Sequence, residues 1–159
     1  MNQDTFTRAL FESLDEAFDV HHGIYLDKGT SLFETLEAVT AAEASRAAGT
    51  GCASLAAQVA HITFYLEVIE RYMLTGDGGK PDWRAIWRTV RAVTPDEWAS
   101  LKQQLRETSD RVRAMLRNRE TWDDEQGVGG ALAILAHTAY HLGGLRQALC
   151  ALRSAPSKQ

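Results

Sequence analysis

Apolar residues recur at intervals of three and four along most of this chain. Phe6, Leu10, Leu14, Ala17 and Phe18 form one stripe, and Trp98, Leu101, Leu105, Val112 and Leu116 form another. Both follow the 3.6-residue period of an amphipathic helix. Leu55, Val59, Ile62, Leu66, Ile69 and Met73 step by 4, 3, 4, 3 and 4, which predicts a third helix with a seam close to a heptad. No comparable period-2 run occurs, so no strands are expected.

A fourth segment has a different character. From Val128 to Leu145 there is no Asp, Glu, Lys or Arg in eighteen positions, which predicts a helix largely buried in the middle of the protein. The length would suit a membrane span, but Gly129, Gly130, His137, Thr138, His141, Gly143 and Gly144 make the run too polar and glycine-rich for one.

Helix starts are written locally. Ser31…Glu34, Thr40…Glu43 and Thr94…Glu97 each place a hydroxyl three residues before an acid, the pattern in which the two side chains satisfy each other's free backbone N–H groups. Pro95 adds a first helical residue whose missing N–H costs nothing. Gly76–Pro81 reads as a turn, and Trp83–Val93 as a connection with one or two helical turns. Residues 21–53 form a second long connection, carrying two short capped helices. The expected fold class is all-α: a four-helix bundle with long crossover connections and short accessory helices. It forms one domain over 1–153, with a polar tail at 154–159.

The composition fits a soluble domain: 159 residues, 45% hydrophobic and 24% charged. A chain of this length buries about 70% of its unfolded surface and needs no metal merely to fold. The net charge of −4 is the wrong sign for a protein that neutralises phosphates or an anionic bilayer. Cys52 and Cys150 have neither CxxC spacing nor partners, so they read as buried or idle thiols in a reducing compartment. No basic and apolar leader opens the sequence, and a cytoplasmic location is expected.

The chemistry points to His137-Thr138-Ala139-Tyr140-His141. Imidazoles at i and i+4 lie one turn apart on the same side of a helix, and burying both is costly unless their nitrogens find partners. A metal ion could satisfy both, as could carbonyls or hydroxyls in the core. Position 138 is Thr where a zincin protease places its glutamate base. A third ligand is sought on another helix. With Leu55 at 0° and about 100° per residue, the charged sector Thr63, Glu67, Glu70 and Arg71 spans about 60° to 160°. His61 falls at about −120°, beside Tyr65, Val68 and Tyr72 and facing other helices. Three imidazoles from two helices would leave coordination positions open. Such a set accepts zinc, nickel, copper, iron or cobalt, with zinc or nickel expected.

These residues resemble the DinB/YfiT-like superfamily of metal-dependent bundle proteins. Thr30–Ala44 is similar to that family's region after the first helix, Ser54-Leu55-Ala56-Ala57-Gln58-Val59-Ala60-His61-Ile62 to its first-ligand helix, and His137-Thr138-Ala139-Tyr140-His141-Leu142-Gly143 to its HxxxH-x-G hallmark. The resemblance implies metal ligands at His61, His137 and His141. It also implies activity of the family's kinds, thiol-dependent transferase or isomerase, or hydrolase chemistry on a small molecule, with a low-molecular-weight thiol as a partner. Gly144 stands where many relatives carry Gln. The expectation is that it widens a cavity or admits a neighbouring helix.

Other readings weigh against this one. Tyr65 on the His61 face and His21-His22 at the end of the first helix could reach a pocket, but read as a packed tyrosine and as a favourable charge at a helix C-terminus. Arg84, Arg88 and Arg91 beside Trp83 and Trp87, with Arg111, Arg113, Arg117 and Arg119, could grip nucleic acid. The acidic total argues for a solvated face instead, with neither nucleic acid nor membrane as partner. The alternative to an enzyme is a non-catalytic bundle that binds metal or a small ligand and acts through dimerisation. A homodimer is expected in either case.

Overall fold

A computed structural model describes residues 3–154, with side chains described from Thr5 onward. Among the described residues seven helices follow one another: α1 Gln3–Phe18, α2 Leu32–Glu37, α3 Ala41–Ala44, α4 Leu55–Thr75, α5 Ala85–Thr89, α6 Pro95–Arg117 and α7 Glu125–Ser154. Among the described residues the only β pairing is an isolated antiparallel bridge between Ala47 and Ser54. The protein is therefore all-α. The predicted tail lies outside the described residues apart from Ser154, which ends α7.

The four long helices bury the stripes that define them. Leu10, Leu14, Ala17 and Phe18 of α1 meet Leu55, Val59, Ile62 and Leu66 of α4 in one core with Trp98, Leu105, Val112 and Leu116 of α6. Packing of α4 against both α6 and α7, and of α1 against α7, gathers them around that core. Thr40 and Thr94 close reciprocal caps: Thr94 Oγ1 accepts from the Glu97 N–H at 3.3 Å while Glu97 Oε2 accepts from the Thr94 N–H at 2.7 Å. At Ser31 the Glu34 carboxylate accepts the backbone N–H, and the hydroxyl also lies within reach of the Asp19 carbonyl, at 2.8 Å. Ser54 caps α4 by accepting from the Ala57 N–H. At its other end Gly76 takes φ +73°, a left-handed conformation that suits glycine.

The connections are tied to the long helices by a few specific bonds. Trp98 Nε1 donates to the Val39 carbonyl at 2.8 Å, and the Val93 N–H donates to Ser45 Oγ at 2.9 Å. Glu16, buried on α1, accepts from the backbone N–H groups of His22, Ile24, Tyr25 and Leu26. Burial pulls its carboxyl pKa upward, but the four donors outweigh that and hold it at about 2. Asp19 receives both Arg106 and Arg113.

Two sequence expectations need correction. The uncharged run on α7 is not largely buried. Ala131, Ile134, Thr138, Leu142 and Leu145 face the core, but Leu132 is 49% exposed and Tyr140 76% exposed. Gly129, Ala136, Gly143 and Gly144 are exposed too. Glycine and alanine can face solvent at little cost, so missing charge marks a neutral surface here and not an interior one. Cys52 and Cys150 are both free and exposed, so burial does not explain them.

Candidate metal centre

Two helices and one short connection build the site. His61 stands in the second turn of α4 and is 9% exposed. His137 and His141 project one turn apart from α7 and are half-buried. The packing of α4 on α7 brings them together: one ligand nitrogen from each lies within 4.8 Å of the other two. Ring centroids are 5.1 Å apart for His61 and His137, 4.8 Å for His61 and His141, and 4.4 Å for His137 and His141.

The nitrogens that face each other fit a shared ion. His61 Nε2 and His137 Nε2 are 3.2 Å apart. Two nitrogens each about 2.0–2.1 Å from one ion at a near-tetrahedral angle would sit about 3.3 Å apart. In the chain alone the pair can share one proton as an N–H···N bond. Burial holds all three pKa values down, with the neighbouring imidazoles adding to the effect for two of them. His137 falls to about 3 and His141 to about 4, and His61 is lowered by burial alone. Neutral imidazoles keep the lone pairs that a metal requires. The buried Nδ1 atoms of His61 and His137 have no protein partner.

Aromatic rings wall the cluster. Tyr65, one turn beyond His61, stacks on His137 at 3.5 Å and 5°. Trp87 of α5 lies 4.5 Å from the His61 ring, and Trp83 lies 6.4 Å from it and 5.4 Å from Phe64. Tyr140 meets His141 edge-on at 5.1 Å. Beyond Trp87 a cavity of about 370 Å³ continues past Ala57, Cys52 and Arg91. A larger groove of about 500 Å³, beside Asp19, Phe33, Lys102 and Arg106, touches none of the histidines.

A sequence profile of the DinB superfamily matches residues 27–144. The chain belongs to the DinB superfamily. The match spans α2 to most of α7 and takes in all three histidines of the cluster. No curated protein and no solved structure matches this DinB-superfamily chain.

The remaining sequence candidates fall elsewhere. Neither His21 nor His22 belongs to the cluster. α1 stops at Phe18, before both of them, and His22 Nε2 pairs with Asp15 Oδ2 at 2.5 Å instead of serving the helix end. Arg88 pairs with Asp82, Arg111 with Glu70, Arg113 with Asp19 and Asp110, and Arg119 with Asp124. Arg117 lies over the Phe11 ring. Gly144 is exposed, and a Cβ built there meets only the end of Gln58, at 3.4 Å. It therefore does not serve a close approach of helix backbones. The tryptophan wall was missed at the sequence level. Its one local signal is the i, i+4 spacing of Trp83 and Trp87, which puts both rings on one side of a helical turn.

Proposed function

We propose that this protein is a metal-dependent enzyme acting on a small molecule from an open three-histidine centre within a four-helix-bundle arrangement, as a thiol transferase or a hydrolase. The observation that carries the reading is the convergence of three neutral imidazoles from two helices, two of them with facing nitrogens at 3.2 Å. Zinc or nickel suits an all-imidazole set. When bound, such an ion supplies a Lewis acid that lowers the pKa of a thiol or of water.

The chain's own residues do the rest. His61, His137 and His141 hold the ion, and the Tyr65 face fixes the plane of the His137 ring. Trp87 and Trp83 keep water from the His61 side and offer apolar faces to a substrate. The half-exposed α7 histidines leave the approach side open. Two free exposed thiols fit a reducing, cytoplasmic setting.

The test begins with elemental analysis of protein purified without a polyhistidine tag. About one zinc or nickel per chain is expected, and none in His137→Ala; unchanged content in the variant would discard the ligand set. Titration of cobalt-loaded protein with a low-molecular-weight thiol then separates the chemistries. A near-ultraviolet sulfur-to-cobalt band supports thiol transfer, and hydrolysis of an activated ester without that band supports the hydrolase. A loaded protein that does neither is the non-catalytic metal-binding bundle.

A further inference from the structure

The cavity beyond Trp87 is set apart by its charge. Its volume is about 370 Å³, and Arg91 is the one charged residue among those that line it. In the larger groove beside α2, Asp19, Glu34 and Glu37 accompany Lys102 and Arg106. In the cleft beside Cys150, Glu34 accompanies Arg146 and Arg153. Those clefts hold both signs, and the Trp87 cavity holds one. The Arg91 guanidinium is also unspent. Among the described residues its hydrogen bond runs from Nε to the Arg88 carbonyl at 3.5 Å, and neither terminal nitrogen has a partner. Ser54, on the cavity wall, is 7% exposed. Its Oγ accepts from the Ala57 N–H at 3.2 Å, but its own hydroxyl hydrogen goes to no acceptor among the described residues. A buried donor of this kind is normally satisfied, so it calls for a ligand that brings an acceptor. Ser54 also caps α4, a 21-residue helix with no acid in its first turn, whose dipole adds positive potential at that wall.

We propose that this cavity binds the carboxylate of a small organic anion, and that this anion is the substrate brought to the three histidines. One guanidinium fork matches one carboxylate in charge and in planar, two-point geometry, and the Ser54 hydroxyl adds a further donor. The cavity adjoins the histidine cluster through two shared parts. Trp87 lines it and also lies 4.5 Å from the His61 ring. Ala57, on the same wall, precedes His61 by one turn of α4, about 6 Å along the axis. A molecule with its carboxylate at Arg91 therefore lays its apolar body against Trp87 and carries its reacting group about one helical turn further on. Arg91 is then the residue that selects anionic substrates over neutral ones of the same shape. The link to the reacting group rests on the metal-dependent reading above, whereas binding of the anion in the cavity does not.

Cys52 lines the same cavity and is exposed, so its thiol reports on it. The full chain, with and without zinc, is alkylated with iodoacetate, which carries a carboxylate, and with iodoacetamide, which does not. Rates are read at each cysteine by peptide mass spectrometry. Both reagents need the same thiolate, so their ratio cancels any change in its population. Arg91→Gln, at an exposed position, should lower the iodoacetate-to-iodoacetamide ratio at Cys52 by about 5- to 10-fold. The ratio at Cys150, in its separate cleft, should not move. In the wild type the Cys52 rate should saturate below about 50 mM iodoacetate, and benzoate should protect the thiol where benzamide does not. An unchanged ratio in the variant, a rate that stays linear, or equal protection by acid and amide overturns the carboxylate pocket. The link to the histidines is read in cobalt-loaded protein. Mercaptohexanoate should raise the sulfur-to-cobalt band at about 5- to 10-fold lower concentration than mercaptohexanol, and Arg91→Gln should abolish that advantage. Equal concentrations in the wild type overturn the link. A chain that takes up no metal fails the metal reading instead, and the Cys52 rates of the metal-free chain still decide the pocket.

Discussion

The chain carries imidazoles in two places, and the two surroundings push them in opposite directions. His61, His137 and His141 cluster with no carboxylate in the group, and burial lowers all three pKa values, His137 to about 3 and His141 to about 4. His22 stands in solvent against Asp15, and the hydrogen bond to that carboxylate raises its pKa. The trio is favoured as lone-pair donors, whereas the Asp15 carboxylate favours the protonated form of His22. The difference comes from partners and not from residue type, so spacing alone could rank the two groups only by their places on helices.

The largest effect expected from this contrast is in metal binding. His141→Ala should lower zinc or nickel affinity by at least about 100-fold, since one of three donors disappears and nothing of like chemistry stands beside it. His22→Ala should leave affinity unchanged. Competition against a chromophoric chelator measures both. Equal losses in the two variants would mean that the exposed histidine is also a ligand and that the contrast is false.

A smaller effect separates the groups by pH in the metal-free protein. Unfolded imidazoles take up protons as the pH falls below about 6.5, whereas folded His141 and His137 wait until about 4 and about 3. Between those limits the unfolded state holds more protons, so stability falls as the pH drops. Glu16, depressed to about 2, contributes stability that is present above about 4.5 and lost below it. The window from 6.5 to about 4.5 therefore belongs mainly to the histidines. His22 has the opposite sign: its contribution is complete below about 6.5 and is lost as the pH rises through its raised folded value. Melting curves should show a flatter slope between pH 4.5 and 6.5 in a His137→Gln, His141→Gln double variant. The His22→Gln variant should be less stable than wild type below about pH 6.5, where the His22 contribution is complete, and should converge on it as the pH rises through the raised folded value.

What could be read from the sequence was what neighbours along the chain decide. The Thr-x-x-Glu caps, Pro95, the α4 seam and the Gly76 turn each rest on residues a few positions apart, and each lies where the spacing put it. The helical place of His61 also follows from its own helix. The tryptophan wall depends on α5 folding back over residues some twenty positions earlier, which no local period reports. Glu16 looks like an ordinary helix acid until the loop after α1 turns its N–H groups toward it. The α7 run misled for a physical reason: periodicity records where charge is absent, and both an interior and a neutral outer face satisfy that condition.

The smallest effect concerns the helix that presents two of the three ligands. Gly144 follows His141 by three residues, and as an interior helical glycine it costs about 1 kcal/mol relative to alanine. A methyl group there meets only the flexible end of Gln58, which can shift by the few tenths of an ångström required. Gly144→Ala should therefore stabilise the protein by about 0.5–1 kcal/mol in urea denaturation and leave metal affinity unchanged. The ligands would then be held by the packing of α4 on α7, with no part played by slack in the α7 backbone. If the substitution weakens metal binding while stability rises, the glycine instead supplies backbone freedom that the site needs, and the rigid-scaffold account of the trio fails.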